Sequence, residues 1–280
     1  EVTGLAGPRL YREFRQLAPL PSGTVATAVQ AMLSLPPSDP DYSTLWPATT
    51  LVKSVSVAAG VATVDLSAYP GTLGSGYEAA AVNQLVYTVT AADASITGVK
   101  VRVNGSVPSS GHLDLTGIQR RGDALSQIAN VWILAPTQGL STGSPVVVKV
   151  YGTGFEGNVP LKVFQGATEV ASTQVTTMMG GFAEAQTSIT LSPGTYELRA
   201  YNDNGRDASL QVWGTEAFTV NCASGQLGWG TGTIHTDRPR RSASASTRAS
   251  GSGRSGNSRR GRSRNARHLG SASTAAARAR

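Results

Sequence analysis

The chain has 280 residues and a net charge of +7, but the charge is unevenly placed: residues 222–280 hold twelve arginines, no lysine and one acid, Asp237, which makes that segment +11 and leaves −4 for residues 1–221. The single cysteine, Cys222, excludes an intramolecular disulfide and any cysteine-built metal cluster. No apolar run approaches the roughly eighteen residues that mark a membrane-spanning helix, and Glu1 in place of a methionine sets the expectation that a signal or lipid-anchor segment lies upstream.

The run Arg9 to Leu17 reads equally as a helix or as a short strand. A helix is expected from Ser22, a suitable N-cap, because Val25, Val29, Met32 and Leu33 form one apolar stripe, and Pro36-Pro37 ends it. A polar loop with Tyr42 and Trp46 follows. Next come "LVKSVSV" and "VATVDLS", two strands joined through Ala58, Ala59 and Gly60 as a three-residue hairpin. Ser75 and Glu78 have capping-box spacing, opening a second helix whose buried face is Val82, Leu85, Val86 and Val89. Strict alternation in "GVKVRVNG" predicts a strand ending in an Asn104-Gly105 turn, with Leu113 and Leu115 in its partner strand. This is an α+β layer, two helices on one face of a largely antiparallel sheet.

From Asn130 helical periodicity gives way to seven short strands with period two, from "NVWILA" to "EAFTV". Seven amphipathic strands in about ninety residues predict an all-β immunoglobulin-like sandwich. Four regions follow: an α+β domain over 9–118, a linker over 119–129, the sandwich over 130–221, and a tail over 222–280 too poor in apolar residues to fold, hence disordered.

Two resemblances cover most of residues 9–221. The helix "TAVQAMLSLPP" with "VSVAAGVATVDLS" and "AAAVNQLVYTVTAADASITGVKVRVNG" resembles the GerMN domain, the sporulation and spore germination module of bacterial envelope proteins. The stretches "VWILAPTQG", "SPVVVKVYGTGFEGNV", "LSPGTYELRAY" and "EAFTV" resemble the immunoglobulin-like domain of bacterial spore germination. The resemblance implies a non-enzymatic, extracytoplasmic protein, commonly lipid-anchored on the outer side of the membrane, whose partners are envelope proteins or cell-wall polymer. It also implies a strand ahead of "LYREF" that this chain starts too late to contain in full, leaving one sheet edge unpaired.

Chemistry-bearing residues are sparse. Gly152, Gly154 and Gly157 have G-x-G-x-x-G spacing, but the run after them reads as a strand, not the helix a phosphate site needs. They are expected to form a strand connection, and no cofactor is expected. His112 is the only histidine before residue 222 and is read as a surface loop residue. Glu78 is explained by the capping box and Asp65 by a strand end, so neither is expected to act as a general acid, and no catalytic or metal-binding residue is expected. Trp132, Tyr151 and Phe155 are either sandwich core or a ligand-binding patch. Tyr42 and Trp46, aromatics in a long loop, are the expected contact surface. The arginine-rich tail supports a rival function, binding of nucleic acid or another polyanion; it reads either as such an arm or as an out-of-frame extension.

Overall fold

A computed structural model describes residues 8–71, 73–203, 209–222 and 272–278, and these belong to one compact unit. In its first half, β1 (Arg9–Arg15) resolves the ambiguous first run as a strand, and α1 (Thr24–Ser34) buries Val25, Val29, Met32 and Leu33. The N-cap of α1 is Gly23 at φ +96° and not Ser22. Strands β2 (Val52–Ala58) and β3 (Val61–Leu66) pair antiparallel through two residues, Ala59 and Gly60. Both have positive φ, as a tight hairpin requires, so the loop is one residue shorter than the sequence indicated.

Helix α2 (Ser75–Ala92) leads into β4 (Gly98–Val103), which lies parallel to β3 because the helix carries the chain back across the sheet. The sheet order is β2-β3-β4. Ala62, Val64, Leu66, Val99 and Val101 pack with Met32, Leu33, Leu85, Val86 and Val89 into one core. Leu113 and Leu115 form no strand beside β4. Leu115 is buried, but Asp114 Oδ1 turns the backbone by accepting from Thr116 N at 2.9 Å, and only Gln119 bridges to Val99.

The stretch 119–129 is folded. Arg120 donates to the Thr97 carbonyl and Arg121 to Thr90 Oγ1, and Asp123 caps the short α3 (Ala124–Gln127). The sandwich follows as β5 (Val131–Ala135), β6 (Leu140–Thr142), β7 (Val146–Gly152), β8 (Asn158–Gln165), β9 (Thr168–Thr176), β10 (Ala183–Ile189), β11 (Gly194–Asp203) and β12 (Leu210–Val220). One sheet is β10-β7-β5 and the other β6-β12-β11-β8-β9. All seven expected strands are present; β6, three residues long and parallel to β12, is additional. Inward side chains of both sheets, among them Val148, Val150, Leu161, Val163, Leu198 and Phe218, form a second core.

Two features join the halves. Leu10 and Tyr11 of β1 are buried in the sandwich core, and the Ala129 amide donates to the Leu10 carbonyl at 2.9 Å. The edge of β1 is also occupied: β13 (Ala272–Arg278) pairs with it antiparallel from Arg9↔Arg278 to Arg15↔Ala272, where the resemblance left an open edge. Apart from Cys222, which is exposed, and β13, the tail expected to be disordered lies outside the described residues. Among the described residues no helix is long and apolar enough to cross a membrane.

Candidate functional site

A cleft of about 360 Å³ opens where β1 and the loop after α1 meet the sandwich. Sequence alternation puts an acid on the inward side of each strand there: Glu13 lies on the same side of β1 as Tyr11, and Glu216 on the same side of β12 as Phe218 and Val220. Asp39 comes from the loop after α1, and all three acids are buried. Glu13 is well provided for. Its Oε1 accepts from the Ser38 and Asp39 amides at 2.7 and 3.2 Å, and its Oε2 pairs with Arg15 at 2.9 Å. Asp39 Oδ1 accepts from the Asp41 amide at 2.8 Å, which sets the loop, and Thr215 Oγ1 donates to Asp41 Oδ2 at 2.5 Å, which ties the loop to β12. Glu216 is different. Burial first, then the charges of Asp39, Asp41 and Glu13, push its carboxyl up to about 8.

Tyr42 lines this cleft. Its ring stacks on Tyr11 at 4.6 Å, and Tyr11 in turn donates from its hydroxyl to the Trp213 carbonyl at 2.6 Å. Burial and the neighbouring carboxylates raise the Tyr42 phenol well above its ordinary value, so it is a neutral wall. Trp46 does not join it. It is 3% exposed, belongs to the first core and donates from Nε1 to the Ala81 carbonyl at 3.0 Å. An indole at the loop's inner end gains more from burial and one hydrogen bond than from solvent, so Trp46 presents no surface to a partner.

A second cleft, of about 330 Å³, lies in the first half beside Tyr69, Glu78 and His112. Glu78 makes no capping box; the N-cap of α2 is Gly74 and has no side-chain cap. The buried Glu78 carboxylate instead accepts from Tyr69 (3.0 Å), Ser110 (2.7 Å) and the Gly111 amide (3.3 Å), and its Oε2 lies 2.9 Å from His112 Nδ1. Burial opposes its charge, but the donors Ser110, His112, Tyr69 and Gly111 outweigh burial and hold the Glu78 carboxyl below its ordinary value. His112 is thus a half-exposed partner of a buried acid, not an isolated surface residue. Asp65 is elsewhere, accepting from the Gly105 amide at the end of β3. The Ser110, Gly111 and His112 contacts fasten the loop 109–112 to α2 and the Tyr69 contact holds the segment before α2, which is a structural task.

The glycine loop is a strand connection. A Cβ on Gly152 would stand 2.6 Å from the Asn130 carbonyl oxygen, one on Gly154 would run into the Asn158 carbonyl, and Gly157 has φ +79°. The next element is β8. The aromatic group divides: Trp132 is core and packs against Tyr151 with ring centroids 4.7 Å apart and planes tilted by 32°, whereas Phe155 is 70% exposed. Among the described residues no group of three or more His, Cys, Asp or Glu could hold a metal ion.

Glu13, Asp39 and Glu216 are the site residues that pattern reading passed over. The available signal was an acid on the apolar side of an alternating strand, as in "EAFTV", where Glu216, Phe218 and Val220 share a face.

Comparison with known proteins places these halves. Residues 7–108 match the family described as sporulation and spore germination, and residues 130–209 match the immunoglobulin-like domain of bacterial spore germination. No curated protein matches the chain. Among solved structures, a Clostridium perfringens protein described as a lipoprotein is 14% identical over 43% of this chain and 93% of its own, with a TM-score of 0.32. The fibronectin(III)-like modules of Clostridium thermocellum CbhA are 20% identical over 32% of this chain and 94% of their own, with a TM-score of 0.24. Likenesses this slight carry no argument. The family matches do: within the chain, a region of the sporulation and spore germination family is followed by one matching the immunoglobulin-like domain of bacterial spore germination.

Proposed function

We propose that the chain is a non-catalytic, extracytoplasmic protein of the cell envelope that works by holding a partner protein or a wall polymer at the cleft between its two domains. The observation that carries this reading is the pairing of two germination-type domains around a cleft walled by carboxyls and aromatic side chains. In the second cleft the Tyr69 hydroxyl and His112 Nδ1 are both spent on Glu78, which supports the non-catalytic part of this reading. A lipid anchor on upstream sequence is part of the proposal and would keep the protein on the outer side of the membrane.

Photocrosslinking tests it. Phe14 is 60% exposed at the cleft, and Val57, on β2, is 48% exposed and not among the cleft's lining residues. A photoreactive phenylalanine at position 14, in the full chain mixed with envelope fractions, is expected to give an adduct that the same group at position 57 does not. Equal labelling from both positions, or none from position 14, would overturn the proposal.

A further inference from the structure

Glu216 is 6% exposed, and one of its oxygens accepts from the Gln138 amide while the other, Oε2, is buried without a hydrogen-bond partner. The charged groups facing it are the carboxyls of Asp39, Asp41 and Glu13, and Tyr42 lines the same cleft. Both nearby arginines are engaged elsewhere. Arg15 pairs with Glu13, and the Arg12 guanidinium lies 5.5, 5.9 and 5.6 Å from the ring centroids of Phe14, Trp132 and Tyr151. A buried carboxyl with an unmade hydrogen bond among like charges is completed by a positively charged donor.

We propose that the cleft binds a lysine-type primary ammonium carried on a peptide, with the ammonium donating to Glu216 Oε2 and its methylene stem lying along Ile133, Leu134 and Phe14. This rests on the contact reading above and names its ligand. An ammonium fits better than a guanidinium, because a planar fork seeks two oxygens and Glu216 offers one. The apolar wall suits a stem that buries its methylenes while the head seeks charge. A metal ion fits less well, since the described carboxyls do not converge on a common point. Oε2 is sealed in the free protein, and because Glu216 is among the residues lining the cleft, a turn of its carboxyl brings Oε2 to the ammonium.

Binding moves a proton. With its carboxyl held up to about 8, Glu216 keeps its proton at neutral pH in the empty cleft. The arriving ammonium favours the carboxylate, so R–NH₃⁺ and Glu216–COOH give the ion pair R–NH₃⁺···⁻OOC–Glu216 and release one H⁺ to the buffer.

The test is calorimetric titration of the full chain with blocked acetyl-Ala-Lys-Ala-amide and its norleucine counterpart, in two buffers of different ionisation enthalpy. The lysine peptide is expected to bind saturably near neutral pH with release of about one proton, and release should vanish above about pH 9, where Glu216 is already ionised. The Glu216→Gln protein, its fold checked by circular dichroism, should bind at least about tenfold more weakly. Equal binding of the norleucine peptide, binding without proton release, or no saturable heat would overturn the assignment. The proton count is read on the unaltered chain, so it decides even if the variant does not fold. Envelope fractions are not involved, so failure here is distinct from failure of the crosslinking experiment.

Discussion

The Tyr11 hydroxyl donates to the Trp213 carbonyl at 2.6 Å across 202 positions of sequence, and the Tyr11 ring is 1% exposed in the core of the domain to which β1 does not belong by sequence match. The two family domains therefore share a core at their junction. Residues 8–222 are expected to unfold in one cooperative transition, with calorimetric and van't Hoff enthalpies equal. Two separated transitions would show that the junction is weak. Tyr11→Phe should lower stability by about 1–2 kcal/mol through the lost hydrogen bond, and Tyr11→Ala by about 3–5 kcal/mol through the cavity as well.

The Glu216 carboxyl gives stability a defined pH dependence. Its folded value, about 8, lies above the unfolded carboxyl value of about 4.3. Its contribution is fully present below the unfolded value and is lost as pH rises, with the loss complete above the folded value. Glu216→Gln removes the ionisable group, so the variant should match the parent near pH 4 and gain on it steadily up to about pH 9, by a few kcal/mol at most. A thermal melt series across that range checks it. A variant less stable than the parent at the alkaline end would contradict the environment assigned to Glu216.

Glu78 has the opposite sign. Its folded carboxyl value is depressed, so the stability it gives is present above the unfolded value and is lost as pH falls through the folded one. Glu78→Ala leaves Tyr69, Ser110 and the Gly111 amide without their shared acceptor and should cost about 3–5 kcal/mol. Hydrogen exchange should show the loop 109–113 opening first in this variant, and unchanged protection there would contradict the tether.

At Gly154 any side chain must displace the Asn158 backbone, which opens β8. Gly154→Ala should therefore destabilise the sandwich by more than about 2 kcal/mol, an effect outside the usual range for an exposed loop. Chemical denaturation of the purified variant measures it directly.

Period-two and helical patterns located the strands and helices because burial of one face is written in local spacing. Val99, Val101 and Val103 are legible for that reason, as are Val25, Val29 and Met32. What decides Trp46, Glu78 and β13 is not local. Trp46 is buried by α2, thirty-five positions from its hydrogen-bond partner Ala81, and Glu78 takes three of its four partners from a loop thirty-two to thirty-four positions on. Glu78 has the capping-box spacing, yet three side-chain donors and one amide offer more than the exposed amide at the start of α2. The cleft was half legible. Tyr42 stood out as an aromatic in a loop, but its partners arrive from β1 and β12, which no spacing relates.

The proposal that the cleft between the domains holds the partner is tested most directly by retention on envelope fractions as salt is raised. The full chain should stay bound at about 1 M NaCl, where screening acts within about 3 Å and a +11 tail can no longer hold a polyanion. A Glu216→Gln protein should be released under the same conditions. Release of the parent chain by salt alone, with the variant behaving identically, would assign the binding to the arginine-rich segment and contradict the account.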